Sequence, residues 1–272
     1  MQIRALVIAM MFFSIAASQD CVFAQGNLTA PNRHNLSITG AGTVKASSET
    51  QICIFCHTPH AALTSGPLWN HTLSSATYTV SLPPGVTGSQ LSTPENPPDG
   101  DSKLCLSCHD GTVSSGDVQN IGGGAGIISM GASMPAEGNG SSNLGRDIRG
   151  HHLVSIEVNA DLNQAKNAQC GSTITFGVKG PASVSGPAIL RNTSNCYPQP
   201  GCTKNPTNKG VQCTSCHDPH YDPIPGTTKF IRGATAGPAS QPTYPAPSTW
   251  VFGDDLCLSC HCDCSVSGSC PL

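Results

Sequence analysis

The sequence predicts a chain of mostly irregular backbone with a few short helices and small strands, organised around something other than a side-chain core. Glycine (29) and proline (22) are abundant for 272 residues. Together they make about 19% of the chain against an average near 12%, which argues against long regular elements. Aromatic residues are 5% and charged residues 11%, too few for either an aromatic-rich interior or a salt-bridged surface. The third observation is 15 cysteines and 10 histidines, whose placement decides the reading. The net charge of −3 lacks the basic footprint of a nucleic-acid binder, so no nucleic-acid partner is expected.

Residues 1–24 read as a signal peptide: Arg4, an apolar run from Ala5 to Ala17, then Val22-Phe23-Ala24 before the cleavage position. The run is shorter than the roughly 20 residues a membrane-crossing helix needs. Cys21 leaves with the signal. The mature chain, 25–272, is expected to be secreted, extracellular or at the cell surface, with the periplasm as alternative. It carries no transmembrane segment and meets conditions that permit disulfides.

Four Cys-x-x-Cys-His motifs follow: Cys53, Cys56 and His57; Cys105, Cys108 and His109; Cys213, Cys216 and His217; Cys257, Cys260 and His261. Each is a c-type haem attachment signature, and chance would give roughly 0.03 copies in a chain of this composition. Cysteines at i and i+3 share one side of a helical turn and can each form a thioether to a haem vinyl, while the next histidine reaches the iron. The expected cofactors are four covalently bound haem c, with the four motif histidines as proximal ligands. Zinc sites also use Cys-x-x-Cys pairs but need no histidine directly after the second cysteine. A thioredoxin-like role lacks its βαβ framework.

The second axial position of each iron decides between electron transfer and catalysis. Outside the signal only Met130 and Met134 offer thioethers, against six histidines beyond the motifs: His34, His60, His71, His151, His152 and His220. Bis-histidine ligation of all four haems is therefore within the ligand supply, and it lowers potentials relative to His/Met ligation. His60 and His220 follow their proximal histidines by three residues, across Pro59 and Pro219. Two ligands of one iron approach from opposite faces, so each should serve a neighbouring haem and hold two irons close. His151 and His152 are adjacent, so one faces an iron and the other solvent. His71 is an alternate ligand whose other role is packing at a haem edge. His34 lies on an N-terminal arm without a core of its own, free to fold back or to reach another subunit.

The motif contexts come in two related pairs, the first with the third and the second with the fourth, which reads as a duplicated two-haem unit at about 47–111 and 211–262. Short helices should carry the motifs. Ser47 or Ser48 is expected to cap the first, closed by Pro59, and Asp101 to cap the second, ended by Gly111. The insertion, 112–210, reads as loops and small strands, with alternation at Val154–Val158 and at Ile174, Phe176 and Val178. Its glycine run 122–126 is no nucleotide fingerprint, lacking strand-then-helix context. Six further cysteines, Cys170, Cys196, Cys202, Cys262, Cys264 and Cys270, suit disulfides, with Cys196 and Cys202 closing a small loop. A metal site at Cys262-Asp263-Cys264 is the alternative.

Several segments carry a family resemblance: Arg33-His34-Asn35-Leu36-Ser37, Phe55-Cys56-His57-Thr58-Pro59-His60, Leu68-Trp69-Asn70, Leu106-Ser107-Cys108-His109-Asp110-Gly111-Thr112 and Asp218-Pro219-His220-Tyr221-Asp222-Pro223. The chain resembles multihaem cytochromes c with doubled Cys-x-x-Cys-His motifs, and is most similar to the tetrahaem extracellular cytochromes that polymerise into conductive filaments. The resemblance implies one tetrahaem domain around a stacked chain of bis-histidine haems, with one distal ligand donated by the neighbouring subunit. By position, His34, His60 and His220 match the family's distal ligands, and His152 matches a histidine usually found in an Asp-His-Pro context. Here that context is His151-His152-Leu153, which leaves both open. On this resemblance His34 is the ligand that crosses to the next subunit, and the tail Cys262–Cys270 departs from the family pattern.

The expected function is electron transfer, with no enzymatic activity. Partners would be further copies of the chain, head to tail, together with upstream periplasmic or outer-membrane cytochromes and extracellular electron acceptors. The rivals are a monomeric periplasmic shuttle and a multihaem reductase of a small nitrogen or sulfur oxyanion, which needs a five-coordinate haem.

Overall fold

The computed structural model describes residues 28–29, 31–63, 68–81, 98–138, 141–170, 176–185, 188–192, 209–222, 229–232 and 255–264. The signal sequence 1–24, with Cys21, lies outside these, as do Ile174, the Cys196/Cys202 loop and Cys270.

Most described backbone is irregular. The helices are α1 (Gly100–His109), α2 (Ala160–Asn167), α3 (Cys213–Cys216) and α4 (Asp255–Cys260), joined by single 3-10 turns at Cys53–Phe55 and Pro181–Ser183. The strands are β1 (Asp117–Val118), β2 (Gly126–Ile127), β3 (Ile156–Glu157), β4 (Phe176–Val178), β5 (Arg191–Asn192), β6 (Lys209–Val211) and β7 (His261–Asp263). All pairings are antiparallel: β1 with β2, β6 between β3 and β5, and β4 with β7. The alternation at Val154–Val158 does produce a strand, with Ile156 and Val158 buried. The glycine run forms the β1–β2 turn, where Gly122 and Gly124 take left-handed φ of 98° and 130°.

Three local expectations change. The first motif sits in a 3-10 turn whose cap position is Ile52, without a side-chain cap, so Ser47 and Ser48 play no such part. In the second, the cap position is Asp99, and Asp101 lies inside the first turn, where a carboxylate still complements the helix dipole. Gly111 does follow that helix, with φ of 73° and a Cβ position already filled by the Asn143 side chain, so only glycine fits. The insertion also contains α2, capped by the Asn159 side chain accepting from Leu162 N–H, where loops and small strands were expected.

The first and third motifs are bonded alike. His57 N–H donates to Cys53 and His217 N–H to Cys213, closing each motif turn. A returning segment then pairs antiparallel with each histidine, at Trp69 and at Ile231. Asn70 and Arg232 donate to the carbonyls of Cys56 and Cys216, while Thr58 and Asp218 donate to those of Leu68 and Phe230. Leu68 and Phe230 both take left-handed φ, 57° and 63°.

Among the described residues the interior is mostly polar: 18 polar or charged side chains are buried against 13 hydrophobic ones. The apolar groups form small clusters, Ala46/Phe55/Val118/Ile128, Tyr78/Leu106/Ile148 and Ile156/Leu162. Between them run buried hydrogen bonds. Gln212 caps α3, accepts from Ser102 N–H at 3.0 Å and donates to Asp99 at 2.8 Å, so one side chain ties the helix of the second motif to that of the third.

Candidate haem-binding sites

The cysteines divide cleanly. All eight motif cysteines are free thiols, whereas the non-motif cysteines described, Cys170, Cys262 and Cys264, are disulfide-bonded, Cys170 to Cys264. Burial holds the Cys56 and Cys216 thiols up at about 11 and raises Cys108 and Cys260 as well. That is opposite to the depressed values of reactive Cys-x-x-Cys thiols. Thiols of consecutive motifs lie together. Cys56 is close enough to Cys108 to raise it, Cys105 and Cys213 shift each other in opposite directions, and Cys216 feels Cys260 and Cys257. The attachment points thus run through space in the order first, second, third, fourth.

Three motif histidines each face one histidine from outside the motifs. His57 faces His220 with ring centroids 6.0 Å apart, His109 faces His34 at 6.1 Å, and His261 faces His152 at 6.3 Å. A metal–imidazole nitrogen bond is about 2 Å and the ring centre lies about 1 Å further back, so two rings on opposite sides of one iron stand about 6 Å apart. Aromatic rings also meet at such distances without a metal. Two imidazoles, however, repel when charged: His109 lowers His34, His57 lowers His220, and His152 lowers His261.

Hydrogen bonding presents the same nitrogen in five rings. Nδ1 of His34, His109, His152, His217 and His261 meets the backbone carbonyl of Pro219, Ser142, Leu153, Lys229 and Gly177, respectively, at 2.6–3.0 Å. A carbonyl only accepts, so Nδ1 carries the proton and a neutral ring keeps the Nε2 lone pair for a metal. Burial, the largest cause, pushes His34 down to about 4 and lowers His217, His220 and His261. These rings are neutral at pH 7, the form that binds iron.

The remaining histidines differ. His34 is held in its own chain rather than on a free arm. Its ring stacks on Phe230 at 4.2 Å, and Asn32, Asn35 and Ser37 around it are buried. His71 is wholly buried and faces no motif histidine. Its Nε2 meets the Ser107 carbonyl at 3.3 Å, so it serves packing between the first two motifs. His151 is exposed and His152 makes the ring contact. His60 is exposed and its ring meets no other among the described residues. His217 likewise faces no second histidine ring there. Phe230 was not singled out from the sequence, and its only signal was a place after the third motif like that of Leu68 after the first.

The residues fit haem. Trp69, edge-on to His57 at 6.2 Å, has a buried Nε1 without a hydrogen-bond partner, an orphan donor that a cofactor carboxylate would satisfy. Among the described residues no three His, Cys, Asp or Glu side chains converge as a metal cluster, and none of the helices is long and apolar enough to cross a membrane. Comparison with known proteins finds no matching family model and no matching curated relative.

Proposed function

We propose that this chain is an exported tetrahaem c-type cytochrome that transfers electrons along bis-histidine haems and assembles head to tail into an extracellular filament. The observation that carries the reading is the set of three motif-to-spare histidine pairs at 6.0–6.3 Å. The eight free motif thiols would hold the porphyrins, His57, His109, His217 and His261 would be proximal ligands, and His220, His34 and His152 distal ligands of the first, second and fourth irons. When bound, haem supplies a one-electron Fe(III)/Fe(II) couple whose potential depends on axial ligands, hydrogen bonds and burial. The protein's part is to keep the imidazoles neutral, aim Nε2 through Nδ1–carbonyl bonds, and order the attachment points consecutively.

His34, occupied by His109 and Phe230 in its own chain, is not the subunit-crossing ligand in this reading. Among the described residues His217 is the proximal ring that faces no second histidine, and His60 and His151 are the exposed spares left over, of which His60 follows a motif directly. A head-to-tail contact that brings His60 of one copy to His217 of the next completes the fourth ligand set, and such a heterologous contact propagates as an open filament. The shuttle would instead bring His60 to His217 within one chain. The same open side of His217 is what an oxyanion reductase would use.

Electron cryo-microscopy and electron paramagnetic resonance of the native protein, with His34→Ala and His60→Ala variants, test this. The expected result is filaments with four low-spin haems in the unsubstituted protein, filaments lost in His60→Ala, and filaments kept in His34→Ala with one haem turned high-spin. Discrete particles with all irons six-coordinate identify the shuttle. A high-spin signal from one haem in unsubstituted protein identifies the enzyme.

A further inference from the structure

The histidine pair of the fourth motif joins two segments that a disulfide also ties together. His34 is fixed against Phe230 and the Pro219 carbonyl, and His220 follows Asp218, whose carboxylate pairs with Arg232 at 3.2 Å. His152 is exposed, and its Nδ1 bonds only the carbonyl of the adjacent Leu153. Among the described residues that ring makes no other hydrogen bond, and His261 comes from the far end of the chain.

The two segments are joined through β4 and, in addition, by a covalent bond. His152 precedes β3 and α2, and α2 leads to Cys170. His261 opens β7, and Cys264 follows at once. The Cys170–Cys264 disulfide, with Cα atoms 5.3 Å apart across a separation of 94 residues, ties them together. The bond closes a ring: Asn163 of α2 donates to the Val178 carbonyl of β4, Val178 pairs with His261, and Cys264 returns to Cys170. Without that link the two imidazoles would be held near each other only through the α2–β4–β7 hydrogen bonds, and the effective concentration of one at the other would fall.

We infer that Cys170 and Cys264 are positioning residues for the fourth haem, so that His152 stays on its iron only while their disulfide is intact. This rests on the haem reading above. The test uses the full-length, haem-loaded protein and its Cys170→Ser/Cys264→Ser variant. Whole-protein mass counts covalent haems, and carbon monoxide binding to the reduced protein counts irons with a displaceable or missing sixth ligand. The expected result is four haems in both proteins and about one more carbon monoxide per chain in the variant, with one potential of four shifted. Equal binding and four unshifted potentials overturn the inference. An unsubstituted protein lacking four covalent haems overturns the cofactor reading, and this inference with it.

Should the variant fail to mature, the loaded protein can be treated with a water-soluble phosphine. The phosphine takes oxygen from water to become its oxide, while two electrons and two protons convert the disulfide to two thiols. Alkylation with iodoacetamide, verified by mass at Cys170 and Cys264, then traps the open form. The same additional carbon monoxide site is expected, and its absence overturns the inference.

Discussion

An imidazole has two ring nitrogens, and the partner of one fixes the use of the other. In His34, Nδ1 is committed to Pro219 and Nε2 keeps its lone pair. In His71, Nε2 is committed to Ser107 and the ring is sealed in the interior. The two substitutions should therefore separate. On the proposed haem reading, His34→Ala would remove an axial ligand, so one haem of four should turn high-spin in the oxidised spectrum. His71→Ala should leave all four spin states alone but lower unfolding stability by about 2–4 kcal/mol, through the cavity and the unmet carbonyl, as read from denaturant melts. A spin change in His71→Ala, or none in His34→Ala, would reverse these roles. The sequence identified the ring inventory, because Cys-x-x-Cys-His spacing is local chemistry, and singled out His34, His60, His152 and His220 as spare rings, of which His60 meets no other ring among the described residues. It could not place His34 against Phe230, because that contact joins segments far apart in the chain.

At the scale of elements, short helices survive through their ends rather than their faces. The third motif's helix is only four residues, too short to persist alone. It is held by the reciprocal Gln212/Ser215 capping box and by the grip of Gln212 on Ser102 and Asp99. Gln212→Ala takes a hydrogen-bond partner from each of those buried groups and should cost about 2–4 kcal/mol, visible as a lowered melting temperature. A neutral effect would mean that water replaces the side chain. The same dependence on ends explains what the sequence reading missed. Helix α2 has little apolar periodicity, with Leu162 its one buried hydrophobic side chain, so a search for stripes passes over it. Its readable signals were Asn159 as cap and Asp161 in the first turn. Substituting Asn159 by Ala should weaken it by about 1 kcal/mol. The caps expected at Ser47, Ser48 and Asp101 failed because cap placement depends on where the turn begins, and that follows from tertiary contacts.

At the scale of the molecule, the question is what holds 272 residues together. Among the described residues, the largest apolar cluster of buried side chains has four members, and buried polar groups outnumber buried hydrophobic ones. Fixing a residue's backbone costs about 1–2 kcal/mol, while full burial of a large apolar side chain returns about 1.5–3 kcal/mol. A few such side chains per cluster cannot offset the ordering of the loops around them, and glycine-rich loops lose the most entropy on folding. The low aromatic and charged content made this deficit legible in the sequence, although the polar interior that accompanies it was not. Four porphyrins would supply the missing apolar surface, and their thioethers would cross-link the motifs to it. The chain made without haem attachment, for example with all eight motif cysteines changed to alanine, should therefore lack a cooperative unfolding transition. Its amide protons should exchange with little protection outside the disulfide-tied α2–β7 region. The haem-loaded protein should melt cooperatively and protect the motif helices. Calorimetry and hydrogen exchange on the two forms decide the matter: a sharp, calorimetrically two-state transition in the haem-free chain would show that its polar clusters are a sufficient core, and that the cofactors are guests in the fold rather than its interior.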